Sequence, residues 1–487
     1  MVEEVSEGKK QRGNEISGIS TAIHLPLTVK EITFTGAQSY IGFDFAERNL
    51  ESGDFDEIKD ENKALWENML SRVEIEGDEE LKKTFYSCLY RGLLFPHRAY
   101  ELDAEGRKVH FAPSLGEARE GPRYTDNGFW DTYRTVYPFL SVVYPEVLEE
   151  MMEGFLADYL DGGWLPRWSA LNGKNCMPST AIDVVIADLS LKGIIGGELL
   201  RKLFEGMEKH ALTPAPNDVY GREGVEDYLT LGYIPFDKRE LNSVNLTVDA
   251  SYHDYCLSVV ADLLGEKEKA EIYRKRSYNW RNLFDKNSGC LRAKMSDGGF
   301  YPDFNPKGWG FEYTEASPLV TTFSSQHDFE GLEELFGGRE AFLERLEGLF
   351  ETENEFYVAR WNRAIHEMAE YSEEKWGAVA ISNEPSFHIP FIFALLGEKE
   401  KASYWVKRIA TEAFSYKDDG FPGDEDNGAM ALWFCLAVMG IYPVCPGKDI
   451  FTVTDKLCER IKIGGRELNL SNCGNLISYK DLMDKIR

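Results

Sequence analysis

The chain has 487 residues, 43% hydrophobic and 13% aromatic, a globular composition with enough apolar mass for a large core. Its formal charge is −29, from 83 Asp and Glu against 54 Lys and Arg. Such a surface repels phosphate backbones and anionic headgroups, so nucleic acid and membrane are not expected partners; a neutral ligand or a bound cation suits it.

Residues 1–20 are polar and charged and contain no apolar signal region, and no apolar run approaches the length of a membrane span. The expectation is a cytoplasmic chain. The eight cysteines form no Cys-x-x-Cys pair and sit mostly in apolar runs, which reads as buried free thiols.

Met1 to about Ile23 reads as unstructured. Leu25 to Phe45 alternates apolar and polar residues (Val29, Ile32, Phe34) and predicts two strands or one hairpin. Asp54–Arg72 and Asp78–Phe95 predict amphipathic helices. From there to about Tyr442 the pattern is helical with little strand signal. The segments are Gly128–Val143, Glu146–Leu160, Ser179–Lys192, Gly197–Ala211, Gly224–Leu231, Leu246–Leu264, Lys267–Leu283, Phe329–Phe336, Arg339–Phe350, Ser386–Leu396, Lys399–Phe414 and Asn427–Met439. Gly or Pro punctuates nearly every junction. Helix pairs without a fixed-period repeat predict a mainly α fold, a closed double ring whose loops gather at one end. After Pro446 short strands return: Phe451–Val453, Arg460–Ile463 and Leu468–Leu470. The expected division is a tail with a β remnant (1–53), a helical domain (54–447) and a short C-terminal β segment (448–487).

Phe421–Met430 sets three acids between glycines, just before an apolar run. Alternate residues of a turning backbone share a face, so Asp424 and Asp426 point into one cavity while Glu425 points elsewhere. An acidic helix cap is the plainer alternative. Other loops mix aromatics with acids: Phe129–Arg134, Gly163–Trp168, Trp309–Glu315, His366-Glu367 and Ser382–Pro385. Aromatic faces stack on sugar C–H surfaces, and glycoside hydrolysis needs two carboxylates, one protonated and one ionised. Singly, each fragment also has a packing reading: Trp130 and Trp168 as core, Glu315 as a first-turn acid, His366-Glu367 as a surface pair, Glu384-Pro385 as a helix start. There is no His-Glu-x-x-His, phosphate loop or Gly-x-Ser-x-Gly elbow.

Together, Trp130-Asp131-Thr132-Tyr133-Arg134-Thr135, Trp164-Leu165-Pro166-Arg167-Trp168, Asn175-Cys176-Met177, Tyr220-Gly221-Arg222-Glu223-Gly224, Asn383-Glu384-Pro385-Ser386, Gly423-Asp424-Glu425-Asp426-Asn427-Gly428 and Gly440–Gly447 resemble glycoside hydrolase family 92. The match is collinear from about Val29 to about Gly447. The resemblance implies an (α/α)6 toroid and a calcium-dependent, inverting exo-α-mannosidase. It implies Glu315 as general acid and Asp426 as general base, helped by Asp424. Trp130, Asp131 and Trp168 would line the mannose pocket. His366 and Glu367 match a pair that contacts the leaving sugar in members cleaving α-1,2 bonds. Asn383 and Glu384 lie where the family approaches its Ca2+.

Two features depart from the family. Val320 stands where it carries a Gln associated with the metal, and most of its N-terminal β-sandwich is missing. The partners implied are a mannose-containing glycan and either a separate β-sandwich chain or a second copy. Another (α/α)6 glycosidase or phosphorylase, and a glycan-binding relative without activity, stay open as alternatives.

Overall fold

Ala429–Met439 contains no charged residue, and all of it is buried. A helix apolar all round must be covered all round. Val136–Val143, Ile182–Leu191, Ser243–Leu263 and Ile389–Leu395 are also largely or wholly buried, as is the short Pro318–Thr321 turn of helix. Around them lie helices that bury only one stripe: Glu79–Gly92, Leu148–Gly162, Gly197–Leu212, Lys267–Arg276, Arg339–Glu351 and Lys399–Ala413. The inner helices touch side by side. The Thr135 hydroxyl donates to the Ala429 carbonyl (2.8 Å), and Trp433 meets Phe391 with ring centroids 5.9 Å apart. His388 Nε2 donates to the Phe323 carbonyl (2.9 Å), and Tyr252 stacks on His327 at 5.4 Å. The result is the mainly α, two-layered arrangement expected from the sequence.

The computed structural model describes residues 2–6, 9–13, 21–23, 28, 30, 35–50, 53–359 and 363–486, in two compact units divided between Leu65 and Trp66. The first unit corrects two expectations. Val2–Ser6 pairs antiparallel with Lys9–Gly13 and with Thr21–Ile23, where no structure was expected. Backbone pairing needs no apolar stripe, so a charged segment gave no signal. Most of the expected Leu25–Phe45 hairpin (24–27, 29 and 31–34) lies outside the described residues. Residues 35–39 form no strand, and Phe43–Asn49 is a helix with Asp44 in its first turn and Arg48 in its last, matching the helix dipole.

In the second unit, Tyr100–Leu102, Lys108–Ala112 and Glu117–Glu120 form an antiparallel meander within a stretch read as strand-poor. Its strands are short and half charged, which hides the period. At the C-terminal end Phe451–Val453 and Arg460–Ile463 are strands as expected. Leu468–Leu470 is not; Arg466–Glu467 and Leu476–Ile477 are, and Tyr479–Ile486 is an unexpected helix. Arg460–Ile463 pairs with Val73–Glu76, with Ile461 opposite Ile75. No cysteine is disulfide-bonded, and six are buried. Among the described residues no helix is long and apolar enough to cross a membrane.

Leu436 is fully buried in the innermost layer. Leu436→Ala is expected to cost ~2–5 kcal/mol. Chemical denaturation checks this, as a lower midpoint with an unchanged slope.

Candidate active site

The predicted helix at Gly128–Val143 is broken, and the break builds one wall of a cavity. Asn127–Gly128 is a strand paired with Trp168–Ser169, a short helix Phe129–Thr132 follows, and a second helix begins at Val136. The pairing sets Gly128 opposite Trp168. A Cβ on Gly128 would collide with Asp131 Oδ2 and Trp168 Nε1, so only glycine lets carboxylate and indole approach this closely. Arg167 anchors the same wall. Its guanidinium donates to Glu223 Oε1 (2.6 Å) and to the carbonyls of Met177 (2.9 Å) and Asp218 (2.8 Å).

The second wall is the Asp424–Asp426 loop. Glu425 turns back on its own helix and accepts from the Gly428 N–H (2.8 Å) and the Ala431 N–H (3.4 Å). That is the expected opposite face: Glu425 caps Ala429–Met439, which leaves Asp424 and Asp426 to the cavity. The Gly428 N–H is therefore spent on Glu425 and not on Asp426. Asp426 (φ 48°) and Asn427 (φ 56°) hold left-handed backbone, a strain of ~1–3 kcal/mol each that persists only where the surroundings impose it. Asn427 Oδ1 supplies part of that constraint by accepting the Gly128 N–H at 2.9 Å, which ties this loop to the Trp168 wall.

Glu315 closes the third side, also with left-handed backbone (φ 49°). Asn383 Nδ2 donates to both its Oε2 (3.0 Å) and its carbonyl (3.1 Å). Burial pushes the Glu315 carboxyl up to about 7, with Glu367 and Asp426 adding and Asn383 opposing. Burial, then the neighbouring Asp424, pushes Asp426 up to about 6.

Asp131, Trp168, Glu315, His366, Glu367, Asn383, Asp424 and Asp426 thus line one cavity of about 450 Å³, with Phe95, Lys174 and Glu370. Trp130 does not. It is 3% exposed, packed in the core with the Arg134 guanidinium 4.7 Å from its ring, because the short helix turns Asp131 and Trp130 to different sides.

Asp131, Glu384 and Asp426 bring carboxylate oxygens within 4.8 Å of one another. Burial first, then mutual repulsion, raises the Asp131 and Glu384 carboxyls well above the usual range. Glu384 Oε1 is buried without a hydrogen-bond partner. An all-oxygen donor set with an unsatisfied buried oxygen fits a hard cation such as calcium. Asn383 donates through Nδ2 to Glu315, and Asp131 joins Glu384 and Asp426 in this cluster although the resemblance pointed to Asn383 and Glu384. Val320 is buried in the Pro318–Thr321 helix and offers no oxygen. A second group, His366, Glu370 and Asp424, is more open. His366 Nε2 lies 3.2 Å from Asp424 Oδ2 and Nδ1 3.4 Å from Glu367 Oε2. Burial works against the imidazolium, but Glu367, Glu370 and Asp424 together raise its pKa. Glu370 escaped the sequence reading because His366–Glu373 was not recognised as a helix; the i, i+4 spacing was the available signal.

The sequence profile of the Glycosyl hydrolase family 92 catalytic domain matches residues 44–473. The chain belongs to glycosyl hydrolase family 92. It is similar to an inverting mannosidase of that family from Bacteroides thetaiotaomicron VPI-5482, with 30% identity, a TM-score of 0.80, and 92% of this chain and 64% of that one covered. A family 92 α-mannosidase from Bacteroides thetaiotaomicron, solved with mannoimidazole, is 25% identical at the same TM-score, over 92% of this chain and 61% of that one. A curated relative from Arthroderma benhamiae, an uncharacterized secreted glycosidase, is 25% identical over 468 residues, 87% of this chain and 52% of its own length. The chain therefore spans about half to two-thirds of the proteins it matches. In this family 92 chain Asp131, Trp168, Glu315, Asp424 and Asp426 stand on three walls of one cavity.

Gly128→Ala is expected to lower glycosidase turnover at least tenfold while the fold survives, because the new methyl displaces Asp131 and Trp168. Activity measured beside an unchanged far-UV circular dichroism spectrum tests this.

Proposed function

We propose that this family 92 chain is an inverting exo-α-mannosidase that releases terminal mannose from a glycan. The observation that carries the reading is one cavity in which Glu315, burdened by burial and held by Asn383 at Oε2 and at its backbone carbonyl, faces the strained Asp424–Asp426 loop.

Glu315 is the general acid. A carboxyl lifted to about 7 keeps a substantial protonated fraction at neutral pH and can deliver its proton to the departing glycosidic oxygen. Asp426 is the general base. It takes the proton from a water as that water attacks the anomeric carbon on the face opposite the leaving sugar, so an α-linkage gives β-mannose. Asp424 raises the proton affinity of Asp426 and is itself drawn toward His366. Inversion requires the two carboxyl groups to stand about 6.5–9.5 Å apart, with room for that water, against about 5–5.5 Å for retention. Trp168 offers an apolar face to the sugar ring. His366 and Glu367, at the open side of the cavity, meet the leaving sugar, and an α-1,2 linkage is the one their pairing favours.

Asp131 and Glu384, with Asp426 beside them, would hold the calcium ion. When bound, the ion supplies positive charge next to the sugar hydroxyls and favours a flattened ring. It would also relieve the repulsion among these carboxylates.

Followed by proton NMR, turnover of an α-mannobiose should release the β-anomer first; initial α-mannose rejects inversion. Asp426→Asn should lower kcat by ~10² or more and leave mannose binding intact. Glu315→Gln should hurt α-mannobiose far more than an activated aryl mannoside, and should abolish the fall in kcat/KM of the wild type as pH rises through about 7. Unchanged turnover in either variant rejects the assignment.

Calcium is expected to raise the melting temperature of the wild type, and Glu384→Gln to remove most of that rise. Differential scanning fluorimetry with and without EDTA reads this independently of activity. An equal rise in both proteins would place the ion elsewhere.

A further inference from the structure

Glu374 is 7% exposed and does not line the cavity, yet its carboxylate is fully occupied. Oε2 accepts from Trp376 Nε1–H (3.0 Å) and the Ile381 N–H (2.9 Å), and Oε1 accepts from the Ser382 N–H. All three partners are donors, which suits an ionised carboxylate, although burial pushes the group up to about 8. Taking a carboxylate out of water is costly unless its hydrogen bonds are well made. Here they fix one short turn, residues 381–383.

That turn touches both halves of the cavity. Asn383, its last residue, holds Glu315 at Oε2 and at the backbone carbonyl. On the other side the Ser382 carbonyl presses against Gly423, where a Cβ would overlap it; Gly423 immediately precedes Asp424. The left-handed backbone of Glu315 relaxes toward ordinary conformations if its restraint loosens, and Asn383 is a restraint on it.

We propose that Glu374 is a positioning residue that sets Glu315 against the Asp424–Asp426 loop by clamping the 381–383 turn. The inference rests on Glu315 being the general acid. Glu374→Gln keeps the volume but turns an amide NH2 toward N–H donors. Glu374→Asp keeps the charge but retracts it from them.

The test compares wild type, Glu374→Gln, Glu374→Asp and Glu315→Gln on α-mannobiose and on aryl α-mannosides of increasing leaving-group ability. Small misplacements of reacting groups cost up to ~10² in rate. Both Glu374 variants are expected to lose ~10²-fold in kcat/KM on mannobiose and ~10-fold or less on the best aryl leaving group, with the Asp variant the milder. Loss of mere structural support lowers all substrates alike, and a uniform loss overturns the proposal. If Glu315→Gln shows no leaving-group tilt, the acid assignment itself falls. If Glu315→Gln shows the tilt and folded Glu374 variants do not, only the role of Glu374 falls. Should the Gln variant not fold, the Asp variant decides. A crystal structure of the folded variant gives a readout apart from turnover: the Asn383–Glu315 contact opens, whereas an unchanged 3.0 Å contact overturns the clamp.

Discussion

Mutual repulsion among carboxylates withdrawn from water is the constraint on which the site depends. Asp131, Glu315, Glu384 and Asp426 each disfavour the charge on another, and burial raises all four. Left to itself, such a group would protonate or swell apart. The chain answers with rigid backbone. Left-handed residues at Glu315, Asp426 and Asn427 point side chains inward that ordinary turns would release. The high proton affinity that results is chemically useful for an acid, and the crowding of oxygens suits a cation.

The same logic explains the polar groups that do no chemistry. Glu425 stands next to Asp426 but serves the helix behind it, so two neighbouring acids diverge by direction alone. Asn427 and Gly128 join two walls that are distant in sequence. Arg167 fixes the segment carrying Trp168 through three different partners. Each contact is modest at ~1 kcal/mol or somewhat more. Their value is that they leave few alternative placements for the acids.

The inner helices were legible because burial on every side leaves an uninterrupted apolar signature, as in Ala431 to Ile441. The acids were legible from loop position and family likeness, and nine of the ten named residues, all but Trp130, meet around the cavity or in its acidic cluster. Trp130 was misread because adjacent residues on a helix face different directions, and a spacing argument cannot say which of Trp130 and Asp131 turns inward. That Asn383 Nδ2 also donates to Glu315 is a contact the sequence does not carry, since nothing in residues 315 and 383 announces that they meet. The meander at 100–120 and the strands at 2–23 were invisible for a different reason. Their pairing is carried by backbone groups, and their side chains show no two-residue period. Glu374 carried no signal at all, since its importance lies in three N–H groups that sequence does not reveal.

The ring is closed by its last inner helix. Ala429–Met439 packs on Glu79–Gly92 and receives the Thr135 hydroxyl, and the nearby strand at 460–463 pairs with Val73–Glu76. These contacts join opposite ends of the catalytic unit, which raises contact order and slows folding. During vectorial synthesis the faces that Glu79–Gly92 and Val136–Val143 turn to this helix stay uncovered until residue 439 has been made. Asp426 lies just before the start of that closing helix. Closure of the inner layer and the placing of Asp426 in the cavity with Glu315 therefore rest on the same late-made contacts, so the pocket takes shape only once this helix has docked.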